Sequence, residues 1–441
     1  MIAWLKAGHP LGIFPAGAVA SIRRKDGRIV DKTWDPAIAK LIRRAAVPVV
    51  PVYFEGANSL LFHVMGLLDP RLRDRSIPRE TLRKQNQTLR LCVGRPIGPR
   101  LLAPLEAPEK LSDYLRARTY SLRSCLQNSG EALEMRPNAP APLAVADIAT
   151  DRYRQQEIAR EVAALDASCL LCAQQQFEVY CASSQQIPQG MEEIGRLRET
   201  TFRQVGEGTG KEKDLDAYDA YYLHLFLWDK EKQQIAGAYR MGRGDEILAK
   251  KGMRGFYIRS LFKIDPAFRF ILKQSVELGR SFILPEYQRM RLPLFLLWKG
   301  IHTFLRLHPA FRYLIGPVSI SNDYSTLSRA YIYSFIQRHY FDREMATFIK
   351  PKKRFRPKIS ESEVVKGLLR GDSPDLREVD AVIADIEPTH MRLPVLLKKY
   401  IRQNAKIIGF NIDPDFNHCL DGLILLDLHL LPDSTEEMMG D

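Results

Sequence analysis

From residue 176 onward, apolar runs of strand length recur in a fixed order around two helical stretches. Residues 176–182 read as a strand and 191–204 as a helix. Strand-like runs follow at 221–229, at 234–241 after a polar turn, and at 274–284. A helix from about 290 to 307 and a strand at 313–320 close the series. Strand, helix, three strands, helix, strand predicts an α/β domain built on a mixed, mostly antiparallel sheet with flanking helices. Residues 360–441 add a helix at 393–403 and strands near 406–411 and 422–428. No segment repeats internally.

The 441 residues suffice for two or three domains. Near the start, an amphipathic helix at 36–46 leads into Val47-Pro-Val-Val-Pro-Val-Tyr53, which reads as a buried strand. Residues 136–142 form a proline-rich break. The expected division is therefore a first domain over 1–135, a linker with some helix over 136–174, and a second domain over 175–441.

The net charge of +13 calls for an anionic partner: nucleic acid, an anionic membrane face or an acidic protein. Lys350, Lys352, Lys353, Arg354, Arg356 and Lys358 crowd one short segment. Residues 288–313 mix Arg289, Arg291, Lys299, Arg306 and Arg312 with Leu, Phe and Trp, a pattern suited to lipid headgroups, the plainer alternative being a solvated helix face. Zinc-finger spacing and basic strands interleaved with aromatics are both lacking, so no nucleic-acid partner is expected. The longest apolar runs fall far short of the ~20 residues of a membrane span, and no signal-peptide layout is visible. Six irregularly spaced cysteines predict free thiols in a reducing cytoplasm; Cys169-x2-Cys172 lacks a second pair, reads as core thiols, and no metal is assigned.

Two constellations carry chemistry. The first is the Phe14-Pro15-Ala16-Gly17 turn, Trp34, and the 47–53 run leading to Gly56-Ala57-Asn58-Ser59. It resembles the later motifs of glycerolipid (lysophosphatidate-type) acyltransferases over about residues 1–100. That resemblance implies that Phe14, Pro15, Gly17 and Gly56 descend from an acceptor-binding region. The family's His-x4-Asp motif is missing upstream of Phe14, and its usual Glu is Ala16, so O-acyl transfer by this stretch is not expected. His224-x4-Asp229 has the right spacing, but in a strand its two residues point to opposite faces, which reads as a structural histidine.

The second runs Arg198-x3-Phe202, Asp214-x-Asp216-x2-Asp219, His224-Leu, Gly237-x-Tyr-Arg240, and Glu277-Leu-Gly-Arg280-Ser281-x2-Leu-Pro-Glu-Tyr287. Arg198 and Phe202 share a helix face. On regular strand geometry Glu277 and Ser281 share one face and Arg280 takes the other. In that order the pieces resemble the ornithine-lipid-type amino-acid N-acyltransferases, relatives of acyl-homoserine-lactone synthases within the GCN5-related fold. Residues 360–441 resemble the extension of haemolysin-like members. The resemblance implies transfer of a (3-hydroxy)acyl group from acyl-carrier protein to the α-amino group of ornithine or glycine in aminolipid biosynthesis. It implies no bound cofactor and a location on the inner membrane's cytoplasmic face. Amine acylation needs a base, for which Glu277 is the candidate, directly or through a water, with Arg280 holding the base's surroundings or the acceptor's carboxylate. Asp216 and Asp219 would hold an ammonium or order the entrance loop, Arg198, Phe202 and Arg240 would shape the acyl and carrier side, and Ser281 would join the substrate site. Internal salt bridges are the plainer reading of the charged pairs. The carrier is acidic, which matches the basic segments. Gln288–Pro293, where acetyltransferases place a glycine-rich coenzyme A turn, has no glycine. A non-catalytic haemolysin-like membrane protein and a lactone synthase using S-adenosylmethionine are the alternatives.

Overall fold

The computed structural model describes residues 1–23, 27–56, 58–85, 88–128, 145–369, 374–387 and 391–432; the proline-rich break at 136–142 lies outside them. The chain forms two compact units. One comprises Arg136–Tyr324, Ile336–Arg356 and Pro394–Asp441, and is called here the sheet unit. Its main sheet has eight strands: β1 Leu170–Gln174, β2 Phe177–Ser183, β3 Leu223–Asp229, β4 Gln234–Arg243, β5 Ser275–Ile283, β6 Tyr313–Ile320, β7 Lys406–Asp413 and β8 Cys419–Asp427. They lie in the order β7-β8-β6-β5-β4-β3-β2-β1. β3 and β4 are buried along almost their whole length, as their nearly unbroken apolar runs require for strands covered on both faces.

Every pairing is antiparallel except β5 with β6, whose crossover is the helix Arg291–Leu307. That parallel ladder is short. Only Ser275, Val276 and Glu277 pair with Tyr313, Leu314 and Ile315. Beyond it β5 stays with β4 as far as Ile283, and β6 stays with β8 as far as Ile320, so the sheet parts between them. The strands are still close at Gly316, where a Cβ would stand 2.0 Å from the Leu278 carbonyl oxygen. Gly316→Ala is accordingly expected to destabilise the unit by about 1–3 kcal/mol, read as a lowered unfolding midpoint; an unchanged midpoint would mean that the strands are not pressed together there.

One face of the sheet packs Tyr222, Phe256, Ile258, Phe262, Ile315 and Leu423 into a core. On the same face, helices Val145–Ala163 and Pro188–Gln204 cover Phe226, Ala238 and Phe282. Helix Arg291–Leu307 buries Leu296, Leu297, Trp298, Ile301 and Phe304, and a Cβ on Gly300 would stand 2.5 Å from Val179. Most apolar residues of the segment 288–313 are thus spent on the sheet, and the broad lipid-facing surface expected there is not formed, although Met290 and Leu307 stay exposed beside Arg289, Arg291 and Arg306. Burial also holds the His302 imidazole down at about 4.

The other unit comprises Met1–Met135, Ser325–Phe335 and Pro357–Leu393. Its core gathers Trp34, Ala39, Ile97, Leu102, Leu105, Leu111 and Leu115. Residues 325–335 and 357–393, expected within the second domain, pack here instead. Glu387 accepts hydrogen bonds from Ser325 N (2.9 Å) and Oγ (2.7 Å), Arg118 pairs with buried Asp385, and Gly367 lets its helix close on Ala117. The expected buried strand at 47–53 is also corrected. Pro48 and Pro51 cannot donate to a ladder, so pairing shrinks to a bridge from Val49 to Ile97 and to Val52–Phe54 against Leu91–Val93, and Val50 and Phe54 are exposed.

Candidate functional site

The candidate residues converge on the sheet face that carries Glu277, where β5 leaves β6. Helix Pro188–Gln204 points Arg198 inward, and the loop after it supplies three aspartates. Arg198 Nε stands 3.0 Å from Asp214 Oδ2, and its two terminal nitrogens reach Asp219 at 3.2 and 2.9 Å. On β4, Arg240 Nη1 donates to Asp216 Oδ1 (2.6 Å) and Asp219 Oδ1 (3.2 Å). The rings of Tyr218, Tyr222 and Tyr257 surround its guanidinium at 5.2–5.5 Å. Burial alone would push the Asp219 carboxyl up, but Arg198 and Arg240 outweigh it and hold it well below the usual range. Asp214, quoted within the motif but given no role there, proves to be the shared partner of Arg198 and Arg280.

A bulge overturns the expected facing of β5. Register with β4 shifts between Gly279 and Phe282, and Arg280 takes φ +50°. The extra residue turns Arg280 onto the Glu277 face, with Nε 3.1 Å from Asp214 Oδ2, Nη1 donating to Tyr257 Oη (3.2 Å), and the Phe416 ring 4.7 Å away. Ser281 instead lies beside the Tyr239 hydroxyl, apart from the site. Phe202 joins indirectly, edge-on to Phe416 at 5.3 Å. Gly279, paired with Arg240, has nothing within 4 Å of where a Cβ would be, so open space borders the bulge.

Glu277 is present but sealed. It is 1% exposed, and its oxygens accept from the Tyr222 hydroxyl, Tyr257 N (3.1 Å) and Ile258 N (2.7 Å). With both oxygens engaged and 1% exposure, Glu277 offers an amine no direct contact, so of the two routes expected for this base, direct or through a water, the direct one finds no support; its carboxylate holds Tyr257 N, and the Tyr257 hydroxyl accepts from Arg280. Tyr222 and Tyr257 left no motif in the sequence; their aromatic spacing reads equally as core. Burial pushes the Glu277 carboxyl up to about 7, against those three donors and Arg240. Since its folded value lies above the unfolded ~4.3, the folded state holds the extra proton between these values. Its stabilisation is complete below about pH 4.3 and falls away as pH rises through 7, by about 3 kcal/mol. Glu277→Gln should remove that part of the slope in urea midpoints taken at pH 5 and 7.5; an unaltered slope would refute the assignment.

The His224-x4-Asp229 pair forms no relay. His224 Nε2 contacts the Asp219 carbonyl oxygen at 3.0 Å, burial lowers its imidazole to about 4, and Asp229 accepts from Tyr287 Oη at 2.7 Å. In the other unit, Phe14 is 81% exposed with its ring 6.3 Å from Phe54, and Gly17 (φ +59°) closes a turn through its N–H to the Phe14 carbonyl at 3.2 Å. Gly56 has φ +151°. An open cleft of about 540 Å³ in that unit is lined by Ser21, Arg23, Val30, Asp31, Lys32, Thr33 and Arg116, and by none of Phe14, Pro15, Gly17 or Gly56.

Of the two parted strands, β5 lies within a stretch that matches a known family. Residues 197–298 match the family described as the acetyltransferase (GNAT) domain. Over 186 residues the chain is 35% identical to a glycine N(alpha)-acyltransferase of Phocaeicola vulgatus, covering 40% of this chain and 57% of that protein. Over 110 residues it is 37% identical to an L-ornithine N(alpha)-acyltransferase of Agrobacterium fabrum, covering 24% and 36%. The chain thus spans little more than half the length of the first of these relatives. A CoA-dependent acyl-homoserine lactone synthase solved with SAM and isopentyl-CoA overlaps 59% of this chain and 89% of its own at 11% identity, with a TM-score of 0.28.

Proposed function

We propose that the chain moves an acyl group from a thioester to the α-amino group of an amino acid. The observation that carries this reading is the parting of β5 from β6 beside Arg280 and the open space at Gly279, in a chain similar to amino-acid N-acyltransferases. The amine nitrogen bonds to the thioester carbonyl carbon, the carbon–sulfur bond breaks, and the proton lost by the nitrogen ends on the departing thiolate, which leaves as the free thiol. Arg280 faces that space with a planar fork suited to the acceptor's carboxylate. Arg198, Asp214, Asp219 and Arg240 are the buried frame that holds it, and Asp216 borders the entrance. Glu277 acts by positioning.

The donor in this reading is an acyl-carrier protein. Lys350, Lys352, Lys353, Arg354 and Arg356 are exposed on the sheet unit, suited to an acidic partner. The product is an aminolipid precursor, made at the inner membrane's cytoplasmic face; among the described residues no helix is long and apolar enough to cross a membrane. The Phe14–Gly56 region is read as the remnant of a glycerolipid acyltransferase.

Acyl-carrier-protein and acyl-coenzyme A thioesters, each offered with a panel of amino acids and followed by mass spectrometry, should give an amide with the carrier donor. No amide with any amino acid and either donor would reject the reading. A lactone made with S-adenosylmethionine would replace it.

A further inference from the structure

Arg280 is held by more than its charges. Its Nε pairs with Asp214 Oδ2 at 3.1 Å, and its Nη1 donates to Tyr257 Oη at 3.2 Å. Nη2 makes no hydrogen bond among the described residues; its ion-pair partner, Asp216 Oδ2, stands 3.7 Å away, beyond hydrogen-bond reach. Nη2 is thus the donor left for a ligand. The guanidinium also has a second place to go. Asp413 on β7 and Asp421 on β8 are buried, and the Arg280 charge pulls on both carboxyls, although burial prevails and leaves them raised.

Two rings lie against the guanidinium, Tyr257 at 5.0 Å and Phe416 at 4.7 Å. Phe416 comes from the turn between β7 and β8, beyond the residues that match the GNAT family. It is buried, and Phe202 on helix Pro188–Gln204 meets its ring edge-on at 5.3 Å. The turn that delivers it is tied at several points. The Phe416 carbonyl accepts from Cys419 N at 3.0 Å, Asp413 Oδ1 accepts from Asp415 N at 2.9 Å, and Asn417 Nδ2 donates to the Gly206 carbonyl at 2.6 Å. Asn417 and His418 take φ of +48° and +54°, a conformation that residues other than glycine keep only where their surroundings fix it. The end of one helix, the bulge of β5 and the β7–β8 turn therefore converge on this ring.

We propose that Phe416 is a positioning residue for the acceptor. Its ring face, attractive to a cation, keeps Arg280 beside Asp214 and Tyr257 and away from Asp413 and Asp421, with Nη2 left to meet the acceptor's carboxylate. The proposal rests on the N-acyl transfer reading above and adds the group that fixes its carboxylate-binding fork.

The test compares Phe416→Leu and Phe416→Tyr in the full chain, with glycine or ornithine, whichever the parent chain acylates faster. Leucine keeps an apolar side chain but has no ring face, and it should raise KM for the amino acid about tenfold with kcat little changed. Tyrosine keeps the ring and should keep the parent's KM. A ring that served packing alone would lower the folded fraction, and so kcat, and leave KM as it was. An unchanged KM in Phe416→Leu would overturn the proposal; Phe416→Met replaces that variant if it does not fold. A second measurement needs no turnover. A crystal structure of the Phe416→Leu or Phe416→Met chain should show Arg280 released from Tyr257 Oη, and one of the Phe416→Tyr chain should show the contact kept. Arg280 unmoved in both would also overturn the proposal. Arg280 released in a chain that acylates nothing would leave the hold standing and remove the reaction.

Discussion

Arg198→Met is expected to lower the unfolding free energy of the sheet unit by about 3–5 kcal/mol near pH 7, with the deficit narrowing toward pH 3. The methionine keeps most of the side chain's length and apolar contact, so the lost charge dominates. Arg198 is 1% exposed and stands between Asp214 and Asp219, which are themselves buried. Without it, Arg240 and Arg280 must serve three aspartates. The sign of the pH dependence follows from Asp219, whose folded pKa lies below its unfolded value. The stabilisation it brings is present above about pH 4 and lost as pH falls through the lower folded value. In the variant that carboxyl protonates more readily, so acid costs it less than it costs the parent chain. Urea midpoints at pH 7 and pH 3.5 would show this; a deficit independent of pH would mean that packing, not charge, is what Arg198 supplies.

Most of the sheet was legible in the sequence because its strands are apolar and turn-bounded. Residues 313–320 fall where β6 is, and the runs behind β2 to β5 lie within two residues of the observed ends. Three things were not legible. A period of two cannot register an inserted residue, so the bulge at Gly279–Phe282 reversed the facing of Arg280 and Ser281. An apolar helix with scattered arginines reads alike against lipid and against a sheet; only the approach of Gly300 to Val179 separates the two. Residues 413 and 421 meet because β7 and β8 are neighbours, and Glu207 is tied to β6 through Ser319, none of which a local motif could say. Charge pairing was half legible. The acidic loop and its arginines were singled out together, but that Asp214 is shared, and that Glu277 spends its oxygens on Tyr222, Tyr257 and Ile258, depends on loops folding back over the sheet.

The central claim is that acyl transfer takes place in the opening between β5 and β6, and Gly279 tests it most directly. Its backbone is outside the left-handed region, and a Cβ there meets nothing within 4 Å. Valine at this position therefore fits the fold and intrudes only on the open space. Gly279→Val should unfold within about 0.5 kcal/mol of the parent chain while amide formation drops about 100-fold, because reacting groups displaced by an ångström lose that much. A stably folded Gly279→Val chain that forms amide at the parent rate would contradict the account.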